Sequence, residues 1–130
     1  MKIVRHGTTQ RYSDSAVYNG TVYLVEVPAN LDADIVGQTQ NLLSSVERLL
    51  VQAGSDKSRL LMVTIYMSNM DDYAAMNEIW DAWLPEGCAP TRACIQALGK
   101  SRFQDRNGGN GCGLLTTGTS TCHMGICCRD

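Results

Sequence analysis

The sequence predicts an α+β fold in which two helices cover one face of a mixed sheet. Three observations lead there. Asn19-Gly20 lies between two alternating β-branched and aromatic runs, SAVY and TVYLVEV. Both central residues of a type I′ turn need positive φ, which Asn and Gly tolerate, so this stretch is a β-hairpin. Segments 32–54 and 69–85 repeat apolar residues at three- and four-residue spacing, the mark of helices with one buried face. The runs SRLLMVTIYM and TRACIQAL follow the first and second of these and read as strands. The order to residue 98 is hairpin, helix, strand, helix, strand, and such helices need a sheet to cover.

Each element has local support. KIVR near the start offers a first strand. In the first helix Ile35, Leu42, Val46, Leu49 and Leu50 form the apolar face, Asp32 or Asp34 can cap its start, and Gly54 ends it. The strand 58–67 is apolar enough to be central or covered on both faces. In the second helix Tyr73, Met76, Trp80 and Trp83 form the inner stripe, Asn69 or Asp71 caps it and Pro85 stops it. A sheet of this kind wants one more strand after residue 98, and the sequence loses its periodicity there.

Composition narrows the class. At 130 residues the chain is one domain, long enough to fold without metal or disulfide. A net charge of −2 and a pI near 5.6 give no bulk attraction for nucleic acid or an anionic membrane. No apolar run approaches the ~20 residues that span a bilayer. The first residues, MKIVRHGTTQRY, lack the apolar core of a secretory signal, so a cytoplasmic location is expected. Six cysteines would suggest disulfides in a secreted chain, but four of them (Cys112, Cys122, Cys127, Cys128) lie in the unpatterned tail.

Three stretches, YSDSAVYNGTVYLVEVPANLDAD, TIYMSNMDDYAAMNEIWDAW and above all APTRACIQA, resemble the RidA/YjgF family across residues 1–103. The resemblance implies a chorismate-mutase-like fold, a homotrimer with sites in the clefts between subunits, and no cofactor. It implies hydrolysis of reactive 2-imino or enamine acids, of the 2-iminobutanoate or 2-iminopropanoate kind, to 2-keto acids and ammonia. By position, Arg92 matches the arginine that holds the substrate carboxylate, and Cys94 the residue whose backbone faces the imine and the attacking water. Tyr12 matches an aromatic residue of the cleft and Asn77 an asparagine of the second helix. The role expected of Arg92 also suits its chemistry, because a guanidinium stays charged and can bind a carboxylate through two parallel hydrogen bonds. As a thiol Cys94 is expected to be inert, since no histidine lies near it in sequence.

Two departures stand against the family pattern. Glu26 occupies the end of the second hairpin strand, where the family often has Gly. It is either a solvated strand end, a residue that crowds an anionic substrate, or a partial substitute for a water-positioning carboxylate. The family's closing strand, which carries such a Glu, is missing from its place after Phe103. One permitted codon spelling of Gln104–Gly113, read one base on, gives Arg-Ile-Glu-Met-Val-Val-Met-Ala-Val, an apolar strand with its Glu in place. Residues 104–130 are therefore expected to be an aberrant, disordered, out-of-frame tail that is poorly packed and does not form the family's last strand. A metal site built from Cys112, Cys122, His123, Cys127 and Cys128 is the weaker alternative, because paired C-x-x-C knuckles are absent. The functional alternative to an imine hydrolase is a non-catalytic module of the same fold, holding a small carboxylate-bearing metabolite in the Arg92 cleft.

Overall fold

The computed structural model describes residues 2–30, 32–97 and, as backbone, 122–129. Its order is β1 (Val4–His6), β2 (Ser15–Tyr18), β3 (Thr21–Glu26), α1 (Ile35–Gln52), β4 (Leu60–Met67), α2 (Tyr73–Trp83), β5 (Thr91–Gln96) and β6 (Cys122–Arg129). These strands form one six-stranded sheet in the order β1-β2-β3-β6-β4-β5. All neighbours are antiparallel except β4 and β5, which run parallel, so the sheet is mixed as expected.

The hairpin turns at Asn19 (φ 51°) and Gly20 (φ 74°), the positive-φ pair that the sequence required. Helix α1 begins at Asp34, whose carboxylate accepts the Gly37 N–H at 2.9 Å and so satisfies one of the free donors of the first turn. Helix α2 is shorter than its sequence pattern. Asn69 caps a 3-10 turn over Met70–Asp72 by accepting the Asp71 N–H at 2.9 Å, and the α-helix proper starts only at Tyr73.

The core lies between the helices and one face of the sheet. It is built from Val22 and Leu24 of β3, Val63, Ile65 and Met67 of β4, the predicted face of α1, and Met76 and Trp80 of α2. Tyr73, expected in the inner stripe, is instead exposed at the edge of α2, where its hydroxyl meets a polar partner. Trp83 donates its indole N–H to Glu47 at 3.1 Å, and Lys57 lies 3.5 Å from the same carboxylate, so the two helices are tied at their ends. On the other face of the sheet Tyr23, Val25, Met62 and Ile95 are exposed, and no described element covers them.

The tail differs from expectation in one respect. Cys122–Arg129 forms β6 and fills the slot between β3 and β4, with Leu24 opposite Ile126 and Ile65 opposite Met124. The physical reason is that two strands whose edges would otherwise stay unpaired recruit the one later stretch that alternates, C-x-M-x-I-x-C. Residues 104–121 lie outside the described residues. So do Cys112 and the side chains of Cys122, His123, Cys127 and Cys128 that a metal site would use.

Candidate functional site

Arg92 is placed by strand alternation. On β5 it and Cys94 pair with Val63 and Ile65, the buried residues of β4, so both side chains face the helices. Above them α2 presents Tyr73, Asn77 and Trp80, which helical spacing of four and three residues puts on one stripe. The Arg92 guanidinium donates through Nη1 to Asn77 Oδ1 at 2.8 Å and through Nη2 to the Tyr73 hydroxyl at 3.2 Å. Its carbon lies 5.4 Å from the Trp80 ring centroid and 5.9 Å from that of Tyr73. Aromatic faces and two neutral acceptors thus fix a cation without neutralising it. No carboxylate pairs with Arg92 among the described residues. Among the described residues two of its five N–H donors are used, which leaves three for a ligand.

Cys94 lies beside Arg92, half-buried and packed on the core. Burial pushes its thiol pKa up, and the nearby Arg92 charge offsets this only in part. The thiol therefore stays protonated at neutral pH and is a poor nucleophile.

Tyr12 stands elsewhere. It belongs to the loop between β1 and β2, which is closed by Asp14 N–H donating to His6 O at 2.9 Å. Thr9 builds the tip of that loop: its N–H donates to Tyr12 O at 2.7 Å, and its Oγ1 accepts the N–H groups of Arg11 and Tyr12, each at 3.2 Å. The loop overhangs an open cavity of about 720 Å³ on the exposed sheet face, floored by Ala16, Tyr23 and Met62. Arg92 is on β5, at the opposite edge of the sheet, and faces the other way.

Glu26 is in a third place. Its side chain accepts the Val27 N–H at 2.9 Å and lines a smaller cavity of about 410 Å³ with Asp14, Arg48 and Gln52. Burial raises its carboxyl pKa above the ordinary value, Asp14 adds to the rise, and the Val27 N–H and Arg48 counter it.

One chain therefore brings Arg92, Asn77 and Cys94 together, and leaves Tyr12 and Glu26 apart from them and from each other. Two contributors to the Arg92 environment, Tyr73 and Trp80, read as core residues from sequence; Trp80 is indeed buried in the core and Tyr73 is not. Their spacing from Asn77 was the available signal, since residues three and four apart share a helix face.

A mixed sheet covered on one face by two helices, with Arg92 held beneath the second and unpaired with any carboxylate among the described residues, defines an α+β protein. Residues 3–100 match the family model described as endoribonuclease L-PSP, the RidA/YjgF family, and the chain belongs to that family. It is 45% identical over 97 residues to the RutC family protein YoaB of Escherichia coli K12, covering 75% of this chain and 85% of that protein. The structure is similar to that of NMB1025 of Neisseria meningitidis, a YjgF family member, with a TM-score of 0.82 and 34% identity over 100% of this chain and 96% of that one. A more distant relative, TdcF of Escherichia coli K12, whose name carries it as a candidate reactive intermediate deaminase, is 26% identical over 80 residues, 60% of this chain and 62% of that protein.

Proposed function

We propose that the protein hydrolyses reactive 2-imino or enamine acids to 2-keto acids and ammonia, in a cleft completed by a second copy within a homotrimer. The observation that carries this is Arg92, a fixed guanidinium beside Cys94 that no carboxylate neutralises among the described residues and that has donors to spare. It would take the substrate carboxylate through two parallel hydrogen bonds and hold the imine carbon near the backbone of β5. Water adds to that carbon, the proton it loses goes to nitrogen, and the resulting amino alcohol releases ammonia to leave the keto group. An imine is already electrophilic in water, so orientation supplies much of the acceleration and no cofactor is required.

The separation of Tyr12 from Arg92 supports assembly, because a second copy is needed to bring such residues into one cleft. The uncovered apolar face around Tyr23, Val25 and Met62 supports it too, since contiguous apolar surface marks interaction sites. None of the helices among the described residues is long and apolar enough to cross a membrane, and a cytoplasmic location suits a scavenger of metabolic intermediates. The family description names an endoribonuclease, but a net charge of −2 suits a small metabolite better than a polyanion.

The second reading is a non-catalytic module that holds a small carboxylate-bearing metabolite in the same place. It is favoured by one fact: β6, CHMGICCR, contains no carboxylate to position water. The test generates 2-iminopropanoate with an amino-acid oxidase and follows pyruvate formation. Acceleration over the spontaneous rate that is lost in Arg92→Ala, with the fold retained, is the expected result. No acceleration, together with pyruvate binding that depends on Arg92, identifies the binding module instead.

A further inference from the structure

The cavity under Tyr12 carries a charge pattern that a monocarboxylic imine does not use. Arg5 and Arg11 both line it, with Thr8, Thr9 and Ser13, and no acidic residue lines it among the described residues. Arg5 is set by register: Arg5, Ala16 and Tyr23 stand opposite one another across β1, β2 and β3 on the exposed face. The small Ala16 between the two larger side chains leaves a depression. Arg11 is set by the Thr9 turn, whose hydroxyl holds the Arg11 and Tyr12 N–H groups at the same distance. Neither arginine has an ion-pair partner among the described residues. Two like charges facing one cavity repel each other unless an anion lies between them. The cavity volume falls within the range of small-molecule sites.

We infer that Arg5 and Arg11 select a 2-imino acid bearing a second carboxylate, so that the substrate class is 2-imino dicarboxylic acids. This rests on the hydrolase proposed above: Arg92 of one copy takes the carboxylate beside the imine, and Arg5 and Arg11 of the neighbouring copy take the distal one. The reaction is otherwise the same, with one water consumed and one ammonia released, and the distal carboxylate is unchanged.

The test compares 2-iminosuccinate with 2-iminopropanoate, each made in situ by an oxidase from aspartate or alanine with catalase present. Wild-type protein is expected to show a kcat/KM at least about tenfold higher for the dicarboxylate. The ratio of the two kcat/KM values should fall about 10- to 100-fold in Arg11→Gln and in Arg5→Gln/Arg11→Gln, the size expected for losing hydrogen bonds to a charged group, with the change mainly in KM. Equal wild-type rates on both imines, or an unchanged ratio in the double variant, overturn the inference while leaving the hydrolase standing. If neither imine is hydrolysed, the hydrolase falls, and calorimetric titration decides this inference separately. Binding of oxaloacetate in preference to pyruvate, lost in the double variant, sustains Arg5 and Arg11 as the site for a second carboxylate; equal binding or none refutes it.

Discussion

Asn77 Oδ1 accepts a hydrogen bond from Arg92 Nη1 at 2.8 Å, joining the second helix to the edge strand of the sheet. The bond uses a neutral acceptor, so Arg92 is positioned while its charge stays available. A carboxylate at the same place would hold the guanidinium more tightly and cancel the attraction that a substrate anion needs.

On the proposed reading Asn77 positions Arg92. Asn77→Ala is expected to raise KM and lower kcat/KM for imine hydrolysis by about 10- to 100-fold, the range for a lost hydrogen bond to a charged group. Asn77→Asp should also raise KM, because the new carboxylate pairs with Arg92, and this effect should weaken at higher salt. Steady-state kinetics at two ionic strengths separates the two. A purely structural role for Asn77 would lower the thermal midpoint without a salt-dependent KM.

The loop that carries Tyr12 depends on Gly7. Its φ is +63°, and a Cβ built there would collide with the Asp14 carboxylate. Gly7→Ala is expected to destabilise the protein by roughly 1–3 kcal/mol, combining positive-φ strain with displacement of Asp14. Differential scanning calorimetry should show a lower midpoint than wild type, whereas Gly87→Ala, with φ +75° but open space around it, should cost less. Equal losses at the two glycines would mean that the Asp14 contact is unimportant.

Glu26 makes a pH prediction. Its carboxyl pKa is raised in the folded state, chiefly by burial, so the folded protein holds that proton more tightly than the unfolded chain does. The Glu26 contribution to stability is then most favourable at low pH and is lost as pH rises from the ordinary carboxyl range through the raised folded pKa. Glu26→Gln is expected to stabilise the protein relative to wild type at pH 7 and to show little difference near pH 4. Urea midpoints at both pH values measure this. A Glu26→Gln midpoint below wild type at pH 7 would mean that the carboxylate is held by Arg48 more than it is penalised by burial.

These sites differ in how far local sequence reveals them. The hairpin was legible because a type I′ turn makes a demand on two adjacent residues, and Asn19-Gly20 meets it. The Asp34 cap and the buried face of α1 were legible for the same reason, since both are set within one helix. Arg92 and Asn77 were reached through the family motif, but their mutual bond spans 15 positions and no periodicity encodes it. Tyr73 reads as core because aromatic residues at helical spacing usually mark the core, and only the position of β5 turns this one toward an arginine. The strand β6 is not legible in the sequence because pairing is a long-range property. Its own alternation is short, and residues 104–121 before it carry no pattern that points to the gap between β3 and β4.

That gap leads to the prediction that joins the tail to function. As it stands the slot is filled by CHMGICCR, with Gly125 in the strand interior opposite Val25 and Thr64. Glycine there brings no side chain to pack and adds conformational freedom to the unfolded chain. The strand also returns from β5 through residues 97–121. If residues 104–130 are out of frame, the strand Arg-Ile-Glu-Met-Val-Val-Met-Ala-Val placed from Gln104 should fill the slot better. It supplies β-branched residues to a central strand, and its connection from β5 is about a quarter as long, which lowers the loop-closure cost by about 1 kcal/mol. The replaced chain is expected to melt at least about 5 °C higher, since 1 kcal/mol moves the midpoint of a domain this size by several degrees. Its Glu should also return a carboxylate to the strand beside β4, and imine hydrolysis should rise in consequence. Thermal midpoint, oligomer size by light scattering and the hydrolysis assay test the two chains side by side. Should they match in all three, CHMGICCR is itself the strand this protein uses, and the search for its water-positioning group moves to Glu26.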